Sequence, residues 1–150
     1  MAVRVRVGRQ AITGYRVVEE FGFASLLELN LQTGRTHQIR VHLAHIGHPV
    51  FGDPVYGGRR RSYGDASPRD LAEARGLLEM IDRQALHARE LRFVHPVLGR
   101  EMSLTAAMPG DMQQLLARLR SRASSGAAKA GAAGRTSASA VAQRRRKSYR

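Results

Sequence analysis

The chain contains no cysteine. That excludes a disulfide framework, a thiolate metal site and a cysteine nucleophile. It also lacks any apolar run approaching the roughly 20 residues that span a bilayer. Its opening residues, MAVRVRVGRQ, do not form the apolar stretch of a secretory signal. These absences lead to the expectation of a soluble, cytoplasmic protein with no membrane partner. Acidic residues are scarce as well. Only 12 Asp and Glu stand against 25 Lys and Arg, a formal net charge of +13. Such a balance favours a polyanionic partner, RNA or DNA before an anionic membrane, without discriminating among nucleic acids.

What is present suits one globular domain. The chain has 150 residues and an apolar share of 43%, enough for a single core. The charge is unevenly spread. From Ser121 onward the chain is Ser, Ala, Gly and Arg, with eight Lys or Arg and no acid. A segment of that composition buries too little surface to offset its ordering entropy. The expectation is a domain over residues 1–120 and a disordered basic arm over residues 121–150. The domain alone then holds 17 bases against 12 acids, so the extreme charge belongs largely to the arm.

Within the domain, Val3-Arg4-Val5-Arg6-Val7 alternates with the period of a strand. Ile12–Glu19 and Ser25–Leu31 are further strands, and Phe21-Gly22-Phe23 between them suggests a hairpin. After Thr33-Gly34 the period changes. Ile39, Leu43 and Ile46 share one helical face, Gly47 stands where a left-handed cap belongs, and His48-Pro49 prevents continuation. A Gly- and Pro-rich stretch through Arg59-Arg60-Arg61 and Ser67-Pro68 follows. Residues 69–82 read as a weak helix, Ala85–Val94 and Glu101–Ala106 as two strands. Asp111–Arg120 reads as a short amphipathic helix with Met112, Leu115, Leu116 and Leu119 on its apolar side. The fold class expected is α+β, with a mixed, mainly antiparallel sheet and a few flanking helices.

The densest cluster of functional side chains is Thr33-Gly34-Arg35-Thr36-His37-Gln38-Ile39-Arg40. It lies where a strand ends and a helix begins. A helix N-terminus offers unpaired N–H groups, and Arg35 and Arg40 add bidentate donors, so the segment suits a phosphate or carboxylate. Equally, it is a turn leading into a solvated helix. His37, His42 and His45 invite a metal reading, but no carboxylate or third ligand accompanies the His42–His45 pair at an obvious spacing. Capping, groove-lining or core packing accounts for them better. Asp53, between Gly and Pro, is a turn former before it is a catalytic carboxylate. Arg59, Arg60 and Arg61 could contact phosphates or form a solvated loop. Tyr56 and Tyr63 flank them and could stack on bases.

The stretch Thr33 to Tyr56, TGRTHQIRVHLAHIGHPVFGDPVY, closely resembles the C-terminal signature of RluA-type pseudouridine synthases. Gly8–Glu19 and Leu86–Pro96, with Thr105–Pro109 beyond, resemble the flanking strands of that family in order and spacing. The resemblance spans roughly residues 8–120. It implies conversion of uridine to pseudouridine in ribosomal or transfer RNA: the base is flipped out, detached from its ribose, turned and rejoined through carbon. It implies no cofactor and no metal. It also implies one essential aspartate, paired with an arginine that matches Arg40; Arg35 and His37 match family positions near the same pocket, and Arg35, Thr36, His37 and Gln38 are the expected RNA contacts.

One departure from the family is large. The essential aspartate belongs to a stretch like R-L-D-x-x-T-S-G, followed by a base-stacking tyrosine. Asp53, Asp65, Asp70, Asp82 and Asp111 are the aspartates present, and none has that context. The expectation is therefore the C-terminal portion of a synthase catalytic domain, inactive alone, whose Arg40 awaits an aspartate that this chain does not encode. The missing N-terminal half would be supplied in the full-length protein or by a second chain. The alternative is an RNA-binding module without catalysis.

Overall fold

The structure is a computed structural model that describes residues 10–59 and 67–130, with side chains to residue 124. The strand expected at Val3–Val7, the side chains of Arg60 and Arg61, and Tyr63 lie outside the described residues. Among the described residues four strands and three helices follow in order: β1 (Thr13–Glu20), β2 (Ser25–Leu31), α1 (Gln38–His45), α2 (Pro68–Glu79), β3 (Glu90–Val94), β4 (Glu101–Thr105) and α3 (Gly110–Ala130). The α+β class is as expected. Both strand pairings described are antiparallel and make two separate two-stranded sheets.

The first hairpin turns at Phe21, whose N–H donates to the Ala24 carbonyl at 2.9 Å. Gly22 there has φ 82°, a left-handed conformation that costs glycine little. Val17 pairs with Leu27 and Glu19 with Leu26. Val18 is thus the extra residue of a β-bulge, which shifts the register and increases the local twist. Phe21 enters the core with Leu77 of α2 and with Leu115, Leu116 and Leu119 of α3. The apolar side expected for α3 is the buried one, Met112 included.

Helix α2 begins more firmly than its sequence suggested. Ser67 is its N-cap, Pro68 occupies the first turn, and Ser67 and Asp70 form a reciprocal capping box. Proline at that position has no N–H to leave unpaired, so a dipeptide read as loop is a helix start. Helix α3 crosses the expected domain boundary. It runs ten residues past Arg120 to Ala130, and Arg122, assigned to the basic arm, is ion-paired with Asp70. Arg122 also lies 5.4 Å over the Phe23 ring. The pairing and the ring contact hold the helix to the core where composition alone gave no reason for order. Residues 131–150 lie outside the described residues.

Helix α1 ends in a Schellman motif. Gly47, φ 81°, donates to Ala44 O at 3.0 Å, and His48 donates to Leu43 O at 2.9 Å. The chain is thereby turned back toward the helix and led into the compact loop 50–58. That loop needs two glycines. A Cβ on Gly52 would meet the Arg83 carbonyl, and one on Gly58 would meet Val50 O and Asp53 N. The second hairpin, β3–β4, is far less covered. Leu91 pairs with Leu104 and Phe93 with Met102 on one face, and of these only Met102 is more than marginally shielded.

Candidate functional site

The site is assembled from the turn before α1, the helix itself and the loop that returns from it. Gln38, at the first position of α1, is the local organiser. Its Oε1 accepts from the Thr33 hydroxyl at 2.8 Å and from Arg35 N–H at 3.1 Å. Its Nε2 donates to Ile12 O and Thr13 Oγ1, each at 3.0 Å. Ile12 N–H in turn donates to Thr33 Oγ1 at 3.0 Å. Gln38 is buried and each end of its amide makes two bonds. The structure therefore places this expected RNA contact inside, tying strand β1 to the helix start. A primary amide suits the task, since it both accepts and donates twice.

Arg40, two residues on, is also buried. Its Nε donates to Asp53 Oδ2 at 2.7 Å and its Nη2 to Asp53 Oδ1 at 2.8 Å. The arginine expected to await an aspartate from outside the chain thus has a carboxylate partner inside it. The physical reason is the Schellman turn, which brings residue 53 back beside the helix. Asp53 is also the turn former that its Gly-Asp-Pro setting suggested: Oδ1 accepts from Val55 N–H at 2.9 Å and Tyr56 N–H at 3.0 Å. The hydrogen bond from Arg40 holds the Asp53 carboxyl well below the usual carboxylate range. Burial opposes that, and the two backbone donors reinforce it. Reciprocally, Asp53 raises the Arg40 guanidinium above its ordinary value, against the pull of burial. Both groups are charged at any ordinary pH.

Asp53 occupies the Nε–Nη2 edge of the guanidinium. The Tyr56 ring covers a face, with Arg40 Cζ 4.9 Å from its centroid. No hydrogen bond within the described residues engages Nη1. Tyr56 is in turn met by His37, whose Nδ1 lies 3.1 Å from the phenol oxygen. The two rings stand edge to face, with centroids 5.7 Å apart. His37 is the N-cap of α1 and offers no side-chain cap. It has φ 54°, the left-handed region, the one non-glycine residue among those described to do so.

Arg35, Thr36 and His37 are exposed, and His37 reaches the pair through the Tyr56 hydroxyl. Arg59 belongs elsewhere. Its Nη1 donates to Ile81 O at 2.7 Å and its Nη2 to Leu78 O at 2.8 Å. It caps the C-terminus of α2, where cations neutralise the unpaired carbonyls. Two nitrogens of the guanidinium are thereby engaged by carbonyls of the chain itself.

Of the histidines, His42 is buried with Nδ1 3.0 Å from Thr13 Oγ1, and burial lowers its pKa. His45 is exposed at the end of α1. Among the described residues no group of three or more His, Cys, Asp or Glu could hold a metal, and no helix is long and apolar enough to cross a membrane. The Arg40–Asp53 pairing and the roles of Tyr56, Thr13 and Thr33 were missed in the sequence. The signal for the first was a buried-type arginine followed, just after a Gly-capped turn, by an aspartate with nothing else to neutralise it.

A guanidinium whose Nη1 has no hydrogen bond among the described residues can take a further charged or polar group. The profile of the RNA pseudouridylate synthase family matches residues 1–45. The chain belongs to that family as a partial chain, which bears out the resemblance to RluA-type enzymes. It is similar to an uncharacterized RNA pseudouridine synthase of Chlorobaculum parvum, 48% identical over 119 residues, which cover 75% of this chain and 34% of that protein. It is also similar to the ribosomal large subunit pseudouridine synthase D of Escherichia coli K12, 51% identical over 111 residues, 73% of this chain and 32% of that one. The Salmonella typhimurium protein of the same name is 50% identical over 114 residues, 76% of this chain and 34% of its own. The chain thus spans about a third of the length of these relatives.

Proposed function

We propose that the chain is the C-terminal portion of an RNA pseudouridine synthase, acting in the cytoplasm on uridine in ribosomal or transfer RNA without a cofactor or metal. The observation that carries this reading is the free Nη1 edge of Arg40. In RluA-type enzymes the arginine matching this position pairs with the catalytic aspartate. A guanidinium already held by Asp53 along one edge can still receive a second carboxylate end-on through Nη1.

Asp53 does not fill the catalytic part. It is 0% exposed, both oxygens are committed, and its setting is Gly-Asp-Pro rather than R-L-D-x-x-T-S-G. A group that attacks or steers a flipped base must reach it. The reading therefore assigns Asp53 to holding Arg40 and leaves catalysis to an aspartate from an N-terminal portion, in one polypeptide or two. Arg35, Thr36 and His37 would meet RNA above the pair.

The test is direct. The purified chain, incubated with RNA carrying labelled uridine, yields no pseudouridine. Addition of a polypeptide containing R-L-D-x-x-T-S-G restores it. Turnover by the chain alone would sink the inactivity proposal. The second reading, an RNA-binding module without catalysis, is favoured by the exposure of Arg35. It predicts salt-dependent RNA binding and no turnover under either condition.

A further inference from the structure

Tyr56 entered as a loop aromatic able to stack on a base, but its surroundings suit another task. Its N–H donates to Asp53 Oδ1 at 3.0 Å, the same oxygen that accepts Arg40 Nη2. One carboxylate therefore sets both the guanidinium edge and the start of the residue that covers the guanidinium face. The Tyr56 ring lies 4.9 Å from Arg40 Cζ, a cation–π contact in a partly desolvated place. Its hydroxyl is met by His37 Nδ1 at 3.1 Å. His37 does this from a left-handed backbone, φ 54° and ψ 18°, a strained conformation for a residue with a Cβ, which persists only where surroundings hold it.

Two hydrogen bonds along one edge fix the plane of a guanidinium but let it rock about that edge. A ring against its face removes the rocking, provided the ring itself is fixed. We propose that Tyr56 is a positioning residue for Arg40: its ring lies on the guanidinium, its hydroxyl is anchored by His37, and together they present the Nη1 edge in one orientation to an incoming carboxylate. The purpose assigned to that edge rests on the functional reading above. The clamp itself is testable without it.

The test uses the whole chain with ¹⁵N-labelled arginine side chains, followed by NMR in the wild type and in Tyr56→Leu, Tyr56→Phe and His37→Asn. Asn tolerates the left-handed backbone. In each, the Arg40 Nε–H signal persists, because Asp53 still accepts it. Exchange of the Nη1 protons and rotation about the Cζ–Nη1 bond speed up about tenfold in Tyr56→Leu, the fold-change of one such contact. They speed up about threefold in Tyr56→Phe, which loses only the anchoring hydrogen bond, and at least as much in His37→Asn, which also loses the edge-to-face ring contact. A merely structural Tyr56 would lower the unfolding midpoint and leave the Nη1 rates of the folded chain at the wild-type value. That result, with Nε–H intact, overturns the proposal. Should Tyr56→Leu fail to fold, unchanged rates in Tyr56→Phe and His37→Asn overturn it equally. RNA binding by the same samples is scored separately. Its absence in the wild type counts against the functional reading while the NMR rates still decide the clamp.

Discussion

Arg40 and Asp53 meet along a full edge, Nε to Oδ2 at 2.7 Å and Nη2 to Oδ1 at 2.8 Å, across 13 residues of chain. The pair is the hub of the site, since the same carboxylate accepts from two backbone N–H groups of the returning loop.

Removing one partner leaves a buried charge alone, a cost of about 3–5 kcal/mol. Asp53→Asn and Arg40→Met should each lower stability by that order, read as a shift of the urea midpoint at constant slope. The double variant should cost less than the two singles together, because neither charge is then stranded. Strict additivity in the double-mutant cycle would show that the two groups do not interact.

The pH dependence follows from the directions of two shifts. The folded Asp53 carboxyl is held below its ordinary value, so the unfolded chain takes up the proton first as pH falls. Its contribution is complete above the ordinary carboxylate value of about 3.9 and is lost as pH falls from there toward the lower folded value. His42 is also lowered when folded. Its contribution is complete above about 6.5, the unfolded value, and is lost as pH falls from there toward the folded one. Unfolding free energies across pH should therefore show an acid-limb loss that Asp53→Asn flattens and a slope near pH 6 that His42→Gln flattens.

Gly57 and Gly58 adjoin but should respond differently to alanine. Gly57 has φ 89° and open space around its Cβ position, so Gly57→Ala pays only the left-handed backbone, about 1–2 kcal/mol. Gly58→Ala drives a methyl into Val50 O and Asp53 N, backbone that cannot swing away. Its cost should exceed that of Gly57→Ala, reaching or passing the overpacking range of about 1–3 kcal/mol. Thermal melts of the two variants give the comparison, and equal melting temperatures would refute the packing argument.

Arg35 and Arg59 should separate binding from folding. Arg35 is exposed, with no partner for its guanidinium among the described residues. Arg35→Ala should weaken RNA binding and reduce the salt slope by about one while leaving stability unchanged. Arg59 closes the end of α2. Arg59→Ala should cost about 1.5–3 kcal/mol of stability, the range for charged hydrogen bonds, and leave the salt slope unchanged. Filter binding at several salt concentrations, with a melt for each variant, distinguishes the two.

Much of the secondary structure was legible because it rests on local periodicity. The strand at Ser25–Leu31, the Gly47 cap and the apolar side of α3 all follow from spacing. The start of α2 was hidden because Ser-Pro serves loops and helix caps alike, and only the Asp70 reply decides. The extent of α3 was hidden because its last turns carry small and basic residues, and what orders Arg122 is Asp70, more than fifty residues away in sequence. The site divided in the same manner. The cluster at 33–40 was found by composition, while the division of labour within it was not. Gln38 and Arg59 look like surface residues by type, and only burial shows them spent on the chain's own carbonyls and hydroxyls. Asp53 was read as a turn former, which it is, and the same carboxylate also holds Arg40 through both of its oxygens.

The open face of the β3–β4 hairpin decides how this polypeptide behaves in a tube. Leu91, Phe93 and Leu104 lie exposed, side by side, beside strand edges that have no further neighbour among the described residues. Against that stickiness stands a net charge of +13. At about 0.01 M salt the repulsion reaches roughly 30 Å and at about 0.1 M only roughly 10 Å. The same electrolyte that loosens its grip on a polyanion will therefore let the hairpins of neighbouring copies touch, so the chain should be colloidally stable in dilute buffer and self-associate as salt is raised.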